Sequence, residues 1–127
     1  MTLDQYITKL NTLYQTGIAR EHAYRGDLQQ LLMDIVPDVL VTNEPARVAC
    51  GAPDYVLTRK DVPIGYIEAK LPGDLDNHRH QEQFDRYTST FPNVILSDFY
   101  QFRLYQDGQQ VDSAVIARQF TARMKQI

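Results

Sequence analysis

The strongest constraint on this chain is a pair of β-rich runs, 54–58 (DYVLT) and 62–70 (VPIGYIEAK), parted only by Arg59, Lys60 and Asp61. Such runs on either side of a short polar loop predict a β-hairpin. Successive strand side chains alternate faces, which puts Glu68 and Lys70 on one face and Ile67 and Ala69 on the other. If the hairpin is symmetric about Asp61, Asp54 lies across from Glu68, with side chains ~5 Å apart. A one-residue shift would send the two acids to opposite faces. Neighbouring carboxylates repel each other, and a hard divalent cation such as Mg²⁺ takes oxygen ligands of this kind. Alone, a Glu-x-Lys on a strand is ordinarily a solvated pair. Here the charges end an otherwise apolar run, and the facing acid opens its partner run.

The remaining chain supplies helices before the hairpin and further strands after it. Leu3, Tyr6, Ile7, Leu10, Leu13, Tyr14 and Ile18 recur at three- and four-residue spacings, predicting an amphipathic helix over 3–18. A second helix is expected over 21–35, with Tyr24, Leu28, Leu31, Leu32 and Ile35 inward and Pro37 stopping it. Residues 39–45 (VLVTNEP) read as a short strand or an extended loop. After the break at Leu71-Pro72-Gly73-Asp74, a helix is expected over 76–89, capped by Asp76 or Asp74. Runs 93–97 and 99–105 read as strands, 106–108 as a turn, and 111–118 as a weaker strand or the start of a closing helix. This order predicts an α/β fold, a mixed central sheet flanked by helices.

Composition narrows the function. With 127 residues, the chain is expected to form a single domain, 1–127. Its helix-like last residues (TARMKQI) carry no stop signal, so it reads as the N-terminal part of a larger protein or as a frayed natural terminus. No apolar run reaches the roughly 18 residues of a membrane span. The lone Cys50, expected to be buried or half-buried, forms no internal disulfide and suits a reducing cytoplasm. A net charge of −3 provides no strongly basic grip on nucleic acid, so any such binding comes from local patches or a larger assembly. No Gly-rich phosphate loop, dinucleotide fingerprint or G-x-S-x-G elbow is present, which excludes a P-loop ATPase, a Rossmann enzyme and a serine hydrolase of that type. His78 and His80 do not share a helix face, which argues against a two-His metal site. The eight tyrosines mostly occupy core positions and do not form a base-stacking platform.

Two helical pairs complete the pattern. Gln83 and Tyr87 are four apart and share a helix face, as do Glu21 and Arg25. Taken alone they are a surface Gln beside a Tyr and a weak i,i+4 ion pair. Together, Pro53-Asp54, Glu68-Ala69-Lys70, Gln83-x-x-x-Tyr87 and the stretch 21–25 (EHAYR) resemble the PD-(D/E)XK nuclease superfamily. The likeness covers about 17–105. It is greatest to the N-terminal Mrr-like nuclease domain of Type ISP or Type I-like restriction-modification enzymes.

The resemblance implies a restriction-endonuclease-like core and a Mg²⁺-dependent DNA endonuclease, with Mn²⁺ able to substitute. Asp54, Glu68, the Ala69 carbonyl and, through water, Glu21 would hold the metal. Lys70 would orient the attacking water, and Gln83 and Tyr87 would position Lys70 or the scissile phosphate. Arg25, Arg79 and Arg86 would contact DNA phosphates. The implied partners are double-stranded DNA, translocase and methyltransferase domains of the same polypeptide, and a transient nuclease dimer on DNA. Two alternatives stay open. One is a non-catalytic nuclease-fold module that docks DNA or protein, and the other is a nuclease of repair or recombination.

Overall fold

A computed structural model of the chain describes residues 1–43 and 51–118. Helix α1 (Leu3–Gln15) opens on a capping box between Thr2 and Gln5. It ends earlier than its apolar pattern, because Gly17 at φ +72° turns the chain out of the helix. Ile18 is consequently 83% exposed and contributes nothing to the core. Helix α2 (Glu21–Ile35) has the expected bounds, and Val36 is pushed to φ −125° ahead of Pro37. Its last residue, Ile35, is 59% exposed rather than inward.

Among the described residues six strands follow, and they lie in the sheet in chain order: β1 (Leu40–Asn43), β2 (Tyr55–Arg59), β3 (Val62–Ala69), β4 (Asn93–Ser97), β5 (Gln101–Gln106) and β6 (Gln109–Val115). All neighbours are antiparallel except β3 and β4. A parallel pair needs a crossover, which α3 (Gln81–Thr90) provides. The helix expected from residue 76 begins as a 3₁₀ turn at His78–His80, and its cap is Asn77, which accepts from the Arg79 N–H at 3.1 Å. Asp74 and Asp76 are otherwise engaged. Asp74 accepts from the Asn77 amide at 2.9 Å, and Asp76 pairs with Arg103 at 2.8 Å. Strand β5 starts two residues later than expected because Phe99 sits at φ +75°. The C-terminal run is a strand, and Asp107 and Gly108, both at positive φ, form its two-residue turn. Cys50, residues 44–45 of the 39–45 run and the final TARMKQI lie outside the described residues.

The sheet is packed on both faces. Tyr6 and Leu10 of α1 and Tyr24, Leu28 and Leu31 of α2 pack with Tyr55, Ile67, Ala69, Phe99 and Tyr100. Phe84 and Tyr87 of α3 pack with Leu75, Val94 and Leu96 on the opposite face. The fold class read from the sequence, a mixed sheet flanked by helices, is the one observed. Among the described residues no helix is long and apolar enough to cross a membrane.

Hairpin register decides the site. The loop is the two-residue Lys60-Asp61, both at positive φ, so the hairpin is not symmetric about Asp61. A bulge between Leu57 and Thr58 leaves Ile64 unpaired and shifts the register by one residue. Tyr55 then faces Ile67, as symmetry would also have placed it. Two departures cancel, and Asp54 arrives beside Glu68.

Candidate active site

Glu68 and Lys70 leave β3 on the α3 side of the sheet, while Ile67 and Ala69 enter the core beneath α1 and α2. Both charged residues are buried. Lys70 Nζ lies 3.1 Å from Glu68 Oε2 and 3.5 Å from Gln83 Oε1. Gln83 Nε2 in turn donates to the Tyr87 hydroxyl at 3.2 Å. The i,i+4 pair on α3 therefore forms a line running back from the Lys70 ammonium. Asp54, just before β2, accepts from the Ala69 N–H at Oδ2 (2.8 Å), and its own N–H donates to Glu68 Oε1 at 3.3 Å. The two carboxylates are thus held side by side by backbone N–H groups, that of Asp54 on Glu68 and that of Ala69 on Asp54.

A cation that local spacing did not link to Asp54 completes the cluster. Arg25 Nη2 donates to Glu21 Oε1 at 2.6 Å and also to Asp54 Oδ1. The buried Tyr55 hydroxyl donates to the Arg25 carbonyl at 2.8 Å, which fastens the first turns of α2 to β2. Arg25 therefore neutralises two acids and does not stand out toward solvent. Arg79 and Arg86 do stand out, 73% and 53% exposed in their side chains, beside Asp74 (3.8 Å) and Glu82 (3.7 Å). The acids they pair with, Asp74 and Glu82, lie outside the acid cluster. His80 Nε2 lies 3.0 Å from Asp74. Lys70 also lines a surface cleft of about 420 Å³ together with His78, Gln81 and Arg103.

Charge in the cluster is unbalanced, since three carboxylates (Glu21, Asp54, Glu68) face two cations (Arg25, Lys70). Burial, followed by the Asp54 charge, pushes the Glu68 carboxyl up to about 8, and Lys70 only partly opposes this. Burial would lower Arg25, but the Glu21 hydrogen bond and the Asp54 and Glu21 charges outweigh it and raise it. Among the described residues no three His, Cys, Asp or Glu side chains converge as a ready-made metal cage. The donor set that does converge is the carboxyl groups of Asp54 and Glu68, hard oxygen donors that fit a divalent cation.

Gly51 is a further member that sequence spacing did not mark. It sits at φ +126°, and a Cβ there would lie 3.1 Å from the Tyr87 hydroxyl. Gly51→Ala is expected to cost about 1–3 kcal/mol through backbone strain and to push Tyr87 off Gln83. Urea denaturation measures the first effect, and the Tyr87 ring NMR resonances report the second.

No protein-family model matches the chain, and no curated protein sequence matches it. Among solved structures, a cryo-EM structure of a DrdV–DNA complex contains a similar region, with a TM-score of 0.72 and 24% identity. The match covers 90% of this chain and 12% of that one. What the two share is the fold. This chain thus corresponds to a small part of the larger protein's length.

Proposed function

We propose that this chain is a metal-dependent DNA nuclease domain of the PD-(D/E)XK kind. The observation that carries the reading is the meeting of Asp54, Glu68 and Lys70, from separate stretches of sequence, at one end of the β2–β3 hairpin. The likeness to part of a protein seen bound to DNA supports the choice of substrate.

Asp54 and Glu68, with the Ala69 carbonyl, would hold a Mg²⁺ ion, and Glu21 would reach it through water. When bound, such an ion neutralises the attacked phosphate and lowers the pKa of a coordinated water. The chain's own residues supply the rest. Lys70 holds an ammonium beside the carboxylates, where it orients the attacking water and offsets charge on the phosphate. Gln83, braced by Tyr87, fixes the direction of that ammonium. Arg79 and Arg86 provide exposed positive charge on the α3 side for the DNA backbone, without reading its sequence. Arg25 reaches a phosphate only by leaving its carboxylates. The short match to a much longer protein fits a nuclease segment of a restriction-modification polypeptide, beside translocase and methyltransferase parts. On this reading, double-strand cleavage needs two nuclease copies meeting on the DNA.

The test is nicking of supercoiled plasmid in Mg²⁺ or Mn²⁺. The intact chain is expected to nick, and Asp54→Ala, Glu68→Ala and Lys70→Ala are each expected to lose at least ~100-fold in rate while remaining folded. Undiminished nicking by all three variants would remove the assignment. One observation favours a second reading, a non-catalytic docking module: the Arg25 guanidinium already supplies a cation to Asp54. A folded chain that binds DNA without binding a divalent cation would select that reading.

A further inference from the structure

Asp98 is a wholly buried carboxylate that the reaction scheme leaves unused. It accepts from three backbone N–H groups. Oδ1 accepts from Tyr100 (3.1 Å) and Gln101 (2.8 Å), closing the turn between β4 and β5. Oδ2 accepts from Gly73 at 3.1 Å, on a different segment of chain. That segment is the turn directly after Lys70: the Asp74 N–H donates to the Leu71 carbonyl at 2.9 Å, Pro72 precedes Gly73, and Gly73 sits at φ +85°. This is the pattern of a type II turn, with Pro at its second position and Gly at its third.

The corner that holds Asp98 is itself held in an uncommon backbone conformation. Phe99, a bulky residue at φ +75°, donates its N–H to Ser97 Oγ (2.9 Å) and accepts at its carbonyl from the Tyr6 hydroxyl (2.8 Å). Its ring stacks on Tyr24 of α2 at 5.1 Å. Such strain persists only where the surroundings over-determine it. The neighbouring Ser97 carbonyl accepts from the Lys70 N–H at 2.8 Å. Lys70 is therefore gripped on both sides by one corner, through its own N–H and, three residues on, through Gly73.

A neutral amide could close the local turn with its single oxygen, but its NH₂ could not accept from Gly73. The second acceptor is what requires a carboxylate here. We propose that Asp98 is a positioning residue that acts through the Leu71–Asp74 turn to fix where the Lys70 ammonium points. The significance of Lys70 rests on the nuclease reading, whereas the strut itself does not.

Asp98→Asn tests this, because it keeps the Oδ1 bonds and opposes an NH₂ to the Gly73 N–H. Expected results are a loss of at least tenfold in hydrogen-exchange protection at the Gly73 amide, shifted Lys70 side-chain NMR resonances in the metal-free protein, and nicking with kcat down ~10-fold or more at unchanged KM for DNA. Tyr6→Phe, which loosens the same corner at Phe99, should leave the Gly73 and Lys70 readouts as in the parent. Pro72→Ala, which relaxes the turn from its other end, should shift Lys70 in the same sense and serves if Asp98→Asn does not fold. A parent Gly73 amide that exchanges like an open loop overturns the proposal, as do equal Lys70 shifts in Asp98→Asn and Tyr6→Phe. If the parent chain fails to nick DNA while Asp98→Asn still frees Gly73 and moves Lys70, the strut stands and the nuclease reading falls.

Discussion

Glu68→Gln is expected to make the metal-free protein more stable at pH 9 by a few kcal/mol, and to abolish its metal binding. Glu68 is buried, and its carboxyl is raised to about 8. In the unfolded chain it titrates near the ordinary value for glutamate, ~4.3. A group raised on folding contributes stability that is fully present below its unfolded pKa and is lost as pH rises through its folded one. The parent chain should therefore weaken, relative to the glutamine variant, between about pH 4.5 and pH 8, at up to ~1.4 kcal/mol per pH unit. Urea denaturation of both proteins at pH 5, 7 and 9 measures the difference. A gap that does not widen with pH would show that Glu68 is not held against its charge. A gap that widens as expected shows that the residue is kept at a cost to the empty fold, where the ionised form has a use.

Arg25→Met is expected to act in opposite directions on two ligands. Arg25 spans Glu21 and Asp54 with its side chain 14% exposed. Methionine keeps much of its bulk and removes the charge. The metal-free protein should lose about 2 kcal/mol or more, since acids left without their partner in a partly buried place are strongly unfavourable. Mn²⁺ affinity should rise by about tenfold, because a competing cation has gone and the repulsion at Asp54 has grown. DNA binding should weaken if the guanidinium leaves its carboxylates for a phosphate when the substrate arrives. Calorimetric titration with Mn²⁺ and a DNA-binding isotherm at fixed salt separate the effects. Unchanged or weaker Mn²⁺ binding would mean that Arg25 and the metal do not share Asp54.

Local sequence carried the helices, the hairpin and the shared face of Glu68 and Lys70, because these follow from spacing alone. It carried the Glu21–Arg25 pair for the same reason. The third arm of that bridge, Asp54, lies 29 residues from Arg25, and no periodicity links them. Symmetry about Asp61 gives the right register at the site although the loop is the two-residue Lys60-Asp61. Non-glycine residues at positive φ, such as Lys60 and Asp61, leave no mark in composition, and neither does the bulge at Ile64. The late start of β5 has a similar cause. The run 99–105 is rich in strand formers, but tertiary bonds from Ser97 and Tyr6 hold Phe99 out of the strand. A signal for the corner was present: Ser97 and Asp98 side chains commonly bond their own backbone two residues on, which marks a turn. Gly51 could be read as a loop glycine, but not as the surface against which Tyr87 packs.

The most direct test of the central claim is a calorimetric titration of the metal-free chain with Mn²⁺ at pH 7, repeated in buffers of different ionisation enthalpy. The account predicts one site that requires both Asp54 and Glu68, lost in Asp54→Ala and Glu68→Gln, with proton release as the raised Glu68 carboxyl ionises onto the ion. Absence of binding, or binding that survives both substitutions, would contradict it.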